Sequence, residues 1–304
     1  MNAMTKTDWI AVDWGTTRLR AFAMTQAGDV LARGQSDKGM GGLSTAEFEP
    51  ALMAIIAPWL SAGDITQVVA CGMVGARQGW IEAPYHAAPC TPIDCDMTTA
   101  PSNDPRIKVS IVSGVSQLSP PDVMRGEETQ IAGFLALNPD FDGVICLPGT
   151  HTKWVRISAG EIVSFVTFMT GELFALLSEK SVLRHTVGAD GWDEDAFQEA
   201  LSDAISKPQH VSARLFSLRA TSLLGDMPAP TARAKLSGAL IGIELAGSRA
   251  YWLGQDIAVI GAAGLSNIYA EALKAQGATP ILGAAQDMTL AGLCAAYDNM
   301  KVTS

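Results

Sequence analysis

Three short stretches put glycine beside hydroxyl or charged residues at spacings that suit a phosphate. In IAVDWGTTRLRAF, residues 10–22, an apolar run stops at Asp13, spends Gly15, Thr16 and Thr17 on a polar turn, and resumes as Leu19, Ala21 and Ala23. Glycine lets a backbone approach a phosphate, threonines offer hydroxyl and N–H donors, and an aspartate can face the metal ion a phosphate brings. A plain β-hairpin uses the same residues, so both readings stay open on this stretch. The second stretch is LPGTHTKW, Leu147–Trp154, with Gly149, Thr150, His151, Thr152 and Lys153 in its turn. The third is VIGAAGLSN, Val259–Asn267. Its GAAG lacks the GxGxxG spacing and no ribose-binding acid follows, which argues against a dinucleotide fingerprint.

Composition narrows the ligands. The chain has 304 residues, 48% of them hydrophobic and 17% charged, with a formal net charge of −10. That mixture supports a core and two domains. It excludes a nucleic-acid surface, since no Lys/Arg cluster offsets the acidity. Against that background, the basic residues beside glycine-rich turns, Arg18, Arg77, Arg125 and Lys153, are the expected contacts for an anionic ligand. The N-terminus has no signal-like apolar core. The longest apolar runs, around Leu236–Leu253 and Ile257–Leu265, are broken by Glu244, Arg249 and Asp256, so no membrane span is expected. Five cysteines without a CxxC pair point to a reducing cytoplasm. Cys90 and Cys95 near His86 lack the tight four-ligand spacing of structural zinc.

The elements that must hold these turns follow from periodicity. Strands are expected at Trp9–Asp13, Arg18–Met24 and Val30–Ser36, then an amphipathic helix near Ala46–Leu60 and a buried strand at Val68–Cys71. The glycine-marked loop GMVGARQGW and a Pro-rich region to about Pro105 come next. A strand at Ile107–Val112 precedes VMRGEETQIAGFLAL, in which Gly126 leads a helix with Glu127 and Glu128 in its first turn. After Pro139 the order starts again, with strands at Gly143–Leu147, Trp154–Ile157 and Ile162–Phe168. Helices cover Glu172 to Asp226, a long helix spans Thr231–Leu253, and a strand at Ile257–Ile260 opens into the third glycine turn. Helices are expected from about Ile268 to Gln276 and at Asp287–Asp298. This self-similarity points to two related α/β domains, 1–138 and 139–304, with the last helix free to pack back on the first.

The three turns in this order resemble the actin-like, hexokinase-like ATPase superfamily, in which two ribonuclease-H-like domains clamp ATP across an interdomain cleft. The resemblance makes Asp13–Thr17 the first phosphate segment, Gly149–Lys153 the second, and Gly261, Ala262, Ala263 and Gly264 the adenosine turn. A closer match follows from DWGTT, GMVGARQGW with APY at Ala83–Tyr85, VMRGEETQ, PGTHTKW and MTGEL at Met169–Leu173. That set is similar to the 2-dehydro-3-deoxygalactonokinase family, whose members transfer the γ-phosphoryl group of ATP to the 6-hydroxyl of 2-dehydro-3-deoxy-galactonate in galactonate breakdown.

The resemblance implies roles. Phosphoryl transfer needs placement and charge stabilisation more than covalent chemistry. Asp13 is expected to hold Mg²⁺, and Lys153 to neutralise charge on the transferring group. His151 reads as a hydrogen-bonding loop residue. Glu127 or Glu128 is expected to serve the sugar hydroxyl, Glu127 being favoured, although acids in a first turn also suit the helix dipole at ~0.3–1 kcal/mol each. Arg77 and Arg125, with Arg18 third, are expected at the substrate carboxylate, since arginine binds carboxylates bidentately. Met73, Trp80 and Tyr85 are candidate pocket walls. ATP should be hydrolysed slowly without the sugar acid. Competing expectations are a kinase of another small sugar acid or sugar, and a non-catalytic sensor; a homo-oligomer is compatible with either.

Overall fold

A computed structural model describes residues 7–93, 96–188 and 190–303, so Cys95 lies outside the described residues. Alternating apolar residues form β1 (Trp9–Trp14), β2 (Leu19–Met24) and β3 (Val30–Ser36). The four-residue loop between β1 and β2 sets an antiparallel register that places Asp13 opposite Arg20. α1 (Phe48–Ile56) is shorter than the expected helix, because 3₁₀ turns at Thr45–Glu47 and Ala57–Trp59 take up its ends, the second containing Pro58. β4 (Thr66–Gly72) then runs parallel to β1, with Cys71 beside Asp13.

Four strands escape the periodicity reading. β5 (Tyr85–Ala87) and β6 (Thr98–Ala100) lie in the stretch expected as Pro-rich loop. After β7 (Ile107–Ile111), β8 (Gly114–Leu118) and β9 (Pro121–Met124) occupy the approach to the next helix. Segments of three to five residues carry too few alternations to register as a pattern. α2 (Glu127–Leu137) then starts directly at the paired acids.

The chain continues through β10 (Gly143–Leu147), β11 (Thr152–Ser158), β12 (Glu161–Phe168), α3 (Thr170–Glu179), α4 (Glu194–Ser206) and α5 (Val211–Leu224). The expected long helix is α6 (Ala229–Gly247) followed, after a break at Ser248, by the single turn α7 (Arg249–Trp252). β13 (Ile257–Gly261), α8 (Ala263–Lys274), β14 (Ile281–Ala284) and α9 (Ala285–Thr303) complete it. α8 begins five residues earlier than expected, so Gly264 lies inside its first turn.

Two compact units result. The first comprises Met1–Phe141, Ser158–Ser164 and Ala285–Ser304, the second Asp142–Ile157 and Phe165–Ala284. The first holds a six-stranded sheet ordered β3-β2-β1-β4-β7-β6 and a smaller sheet β5-β8-β9; a five-stranded sheet is ordered β12-β11-β10-β13-β14. In each large sheet a central strand, β1 or β10, has an antiparallel partner on one side and a parallel one on the other. In the first unit, Trp14, Phe48 and Trp80 fill one face of the sheet. Trp9 and Phe22 meet α9 on the other, where the Trp9 and Tyr297 rings stack 4.3 Å apart. In the second unit α4, α6 and α8 bury Phe197, Ile241, Leu245 and Leu273 against β10 and β13. Among the described residues no helix is long and apolar enough to cross a membrane.

Candidate active site

The first glycine-threonine turn is held from beneath by a second glycine-rich segment. Gly15 N–H donates to Arg18 O, while Met40 and Gly41 N–H groups donate to the carbonyls of Gly15 and Thr16. A side chain at Gly39 would collide with the Thr16 and Thr17 backbone, so glycine there permits the close approach. Trp14 Nε1–H donates to Lys38 O at 3.0 Å, anchoring the same segment. Thr16, Thr17 and Arg18 are left exposed at the tip.

Asp13, at the end of β1, has its carboxylate about a quarter exposed. Burial raises its carboxyl above the usual carboxylate range, and Arg20 pulls in the opposite direction through an ion pair of 3.0 Å. Arg20 Nη1 occupies Oδ2; Oδ1 has no hydrogen-bond partner among the described residues. Arg20 lies outside the glycine-threonine turn, and the hairpin register from Trp14–Leu19 puts it opposite Asp13.

The N-terminus of α2 sits against the end of β4, where a Cβ on Gly126 would lie 3.4 Å from Gly72 Cα. The adjacent acids diverge here. Glu128 is fully buried and accepts the Gly126 N–H at 2.8 and 2.6 Å and the Thr129 hydroxyl at 3.1 Å. Burial, then the charge of Glu127, pushes its carboxyl up to about 7, outweighing those hydrogen bonds. Burial and the charges of Asp13 and Glu128 likewise push the Cys71 thiol well up, which puts Cys71, Asp13 and Glu128 in one neighbourhood. Glu127 is only partly buried, and its Oε2 accepts Arg125 N–H at 3.1 Å.

Arg125 is the most constrained of the expected cations. Its Nη2 donates to Ala83 O at 2.7 Å and its guanidinium lies 4.3 Å from the centre of the Tyr85 ring. Nε and Nη1 are buried without a hydrogen-bond partner. Buried N–H groups in native proteins nearly always have partners, so this pair is poised for an acceptor. Tyr85 is 39% exposed, and Met73 packs partly buried against the core. Trp80 is no pocket wall: it is 5% exposed and packs against Trp14 and Phe48. Arg77 is a surface residue, paired with Glu82 at 3.5 Å.

In the second unit the Gly149–Thr152 turn joins β10 to β11. Thr150 and His151 are exposed, while Thr152 and Lys153 are buried. Among the described residues the Lys153 ammonium has no hydrogen-bond or ion-pair partner. His151 Nε2 lies 2.6 Å from Glu172 Oε2, as a loop hydrogen-bonding residue would. The start of α3 presses on this turn: Glu172 N–H donates to Thr150 O, and a side chain at Gly171 would collide with Gly149 O. Gly261, Ala262 and Gly264 form the tight exit from β13 into α8.

Beneath the turn lies a buried network absent from the sequence reading. Glu244 of α6 accepts hydrogen bonds from Trp154 Nε1 at 2.8 Å, from the Tyr269 hydroxyl at 2.8 Å and from the Thr170 hydroxyl. The Thr152 hydroxyl meets Tyr269 at 3.0 Å. A cavity of about 350 Å³ opens beside it, lined by Gly149, Thr150, Phe174, Trp192, Arg233 and Tyr269 among others. The one signal for Glu244 is a lone acid within the small and apolar run Gly238–Gly247 of α6.

A model of the 2-keto-3-deoxy-galactonokinase family matches residues 13–296, a span that takes in all of these turns. The chain belongs to the 2-keto-3-deoxy-galactonokinase family. The 2-dehydro-3-deoxygalactonokinase of Escherichia coli strain K12 is 35% identical over 274 residues, 88% of this chain and 90% of that protein. A crystal structure from Sinorhizobium meliloti, assigned as a candidate 2-dehydro-3-deoxygalactonokinase, is 39% identical with a TM-score of 0.89, covering 95% of this chain and 97% of that one. The activator of the 2-hydroxyisocaproyl-CoA dehydratase from Clostridium difficile, solved with bound ADPNP, shares the fold at 12% identity and a TM-score of 0.51, covering 97% and 96%. The fold is that of the actin-like ATPases, as the turns implied. As a 2-keto-3-deoxy-galactonokinase family member the chain is an ATP-using phosphotransferase with an alcohol acceptor.

The family's chemistry invites a test of the residues for Mg²⁺. Among the described residues no group of three or more His, Cys, Asp or Glu could hold a metal. Mg²⁺ in kinases usually keeps several waters and takes one or two carboxylates besides phosphate oxygens, and the unpaired Oδ1 of Asp13 fits that pattern.

Proposed function

We propose that this protein transfers the γ-phosphoryl group of ATP to the 6-hydroxyl of 2-keto-3-deoxy-galactonate, in the breakdown of galactonate. The observation that carries the substrate class is Arg125, whose guanidinium Nε and Nη1 are buried and unpartnered and whose backbone N–H meets the partly buried Glu127. A guanidinium held by a carbonyl and an aromatic ring presents those N–H groups to a sugar-acid carboxylate without further ordering.

Each residue then has a task. The nucleoside occupies the cavity lined by Phe174, Trp192 and Arg233, with Gly149 and Thr150 at the phosphates and the Gly261–Gly264 exit beside the ribose. Thr16 and Thr17 contribute donors to the phosphates, and Asp13 would hold Mg²⁺, which would supply positive charge against the phosphates. Glu127 accepts the proton of the 6-hydroxyl as that oxygen bonds to the γ-phosphorus and the bond to the ADP oxygen breaks. Lys153 balances the charge on the transferring group. Glu128, out of reach of solvent, supports the helix start instead.

The test is a coupled ADP-release assay with Mg-ATP, comparing 2-keto-3-deoxy-galactonate with its C4 epimer and with plain hexoses. Turnover chiefly on the first is expected. Turnover confined to hexoses would overturn the role given to Arg125.

A further inference from the structure

The carboxylate of Glu244 is buried at 1% exposure, and among the described residues its hydrogen-bond partners include no cation. Its partners are three neutral donors, each from a different element: Trp154 on β11, Thr170 on α3 and Tyr269 on α8. Nothing in helix packing asks for an acid here, because the surrounding positions of α6 are filled by glycine, alanine, leucine and isoleucine. A buried, fully hydrogen-bonded carboxylate specifies one arrangement of its partners, since every alternative leaves a charge or a donor unsatisfied.

Two of those partners flank the second phosphate turn: Trp154 follows it on β11, and Thr170 opens the α3 that presses on it. Thr152 closes the turn and is joined to Glu244 through the Tyr269 hydroxyl. Thr170 immediately precedes Gly171 and Glu172, the residues pressed onto the Gly149 and Thr150 carbonyls. Thr170 and Tyr269 also line the adjoining cavity. We infer that Glu244 is a positioning residue for nucleotide: its carboxylate locks the Gly149–Thr152 turn, the start of α3 and the cavity floor into one phosphate-ready geometry. Burial raises its carboxyl above the usual range, while the hydrogen bonds from Thr170, Trp154 and Tyr269 oppose that rise.

The inference rests on the nucleotide reading of this cavity, so ADP binding to the wild-type protein is measured first, by calorimetry with Mg²⁺ at 15 °C. Absence of binding would overturn that reading and this inference with it. With binding established, Glu244→Ala, verified as folded by circular dichroism, is expected to bind ADP at least 10-fold more weakly while KM for the sugar acid stays within 2-fold. Glu244→Gln is expected to recover to within about 3-fold, because its amide oxygen still accepts from Trp154 and its nitrogen donates to a hydroxyl. Wild-type ADP affinity in folded Glu244→Ala, or equal weakening for both substrates, would overturn the inference. Should Glu244→Ala not fold, Tyr269→Phe keeps the ring and breaks the link to Thr152: 3- to 10-fold weaker ADP binding supports the role, and unchanged binding refutes it.

Discussion

Asp13 and Arg20 face each other across β1 and β2, with guanidinium Nη1 3.0 Å from carboxylate Oδ2. The pair leaves one carboxylate oxygen open beside the first glycine-threonine turn, and Arg20 opposes the rise that burial imposes on the acid. Asp13→Asn preserves the shape and removes the charge that a divalent cation needs. We expect kcat to fall at least 100-fold with Tm little changed; activity within 3-fold of wild type would remove Asp13 from the metal site. Arg20→Met should cost about 1 kcal/mol at most, since both partners are a quarter to a third exposed and solvent screens the pair.

The divergence of the paired glutamates gives an ordering of kcat. Glu127→Gln is expected to lower kcat by ~10²–10⁴, the usual worth of a general base, with little change in KM. Glu128→Gln should retain activity to within about 10-fold, because a fully buried carboxyl cannot reach a substrate hydroxyl. Single-turnover kinetics on both variants decides it, and the reverse order would exchange their roles.

Glu128 also makes a pH prediction. Its folded value of about 7 exceeds the ~4.3 of a free glutamate, so between those pH values the folded state binds more protons than the unfolded state. Its contribution to stability is therefore present at low pH and is lost as pH rises from ~4.3 through 7, by up to about 4 kcal/mol. The urea midpoint of Glu128→Gln should rise relative to wild type between pH 5 and pH 8. A difference that stays constant with pH would mean that the carboxyl is not destabilised by burial.

Arg125 predicts a split between the substrates. Arg125→Lys keeps the charge but loses the planar fork and the stacking on Tyr85, and should raise KM for the sugar acid at least 10-fold without altering KM for ATP. For the matching sugar alcohol without a carboxylate, wild type and variant should be equally poor. A KM effect on ATP instead would relocate the guanidinium to the phosphates.

What the sequence by itself determined is local. Gly15–Thr17 and Gly149–Thr152 are tight turns because short polar runs with glycine interrupt strong apolar alternation. The repeated order of strands and turns likewise determined two α/β units, since each turn needs a strand on either side. Adjacent residues such as Glu127 and Glu128 are equivalent at that level. Only the tertiary structure separated them, by turning one into the core, where desolvation sets its protonation, and leaving the other accessible. The same holds for Trp80 and Tyr85, which are both aromatic near a glycine loop yet become, respectively, a core residue and an exposed ring stacked on Arg125. Glu244, Thr170 and Tyr269 are 74 and 25 positions apart along the chain from acid to hydroxyl, and no spacing rule links them. Their meeting is a consequence of helix packing on the sheet, which brings distant donors around one buried carboxyl.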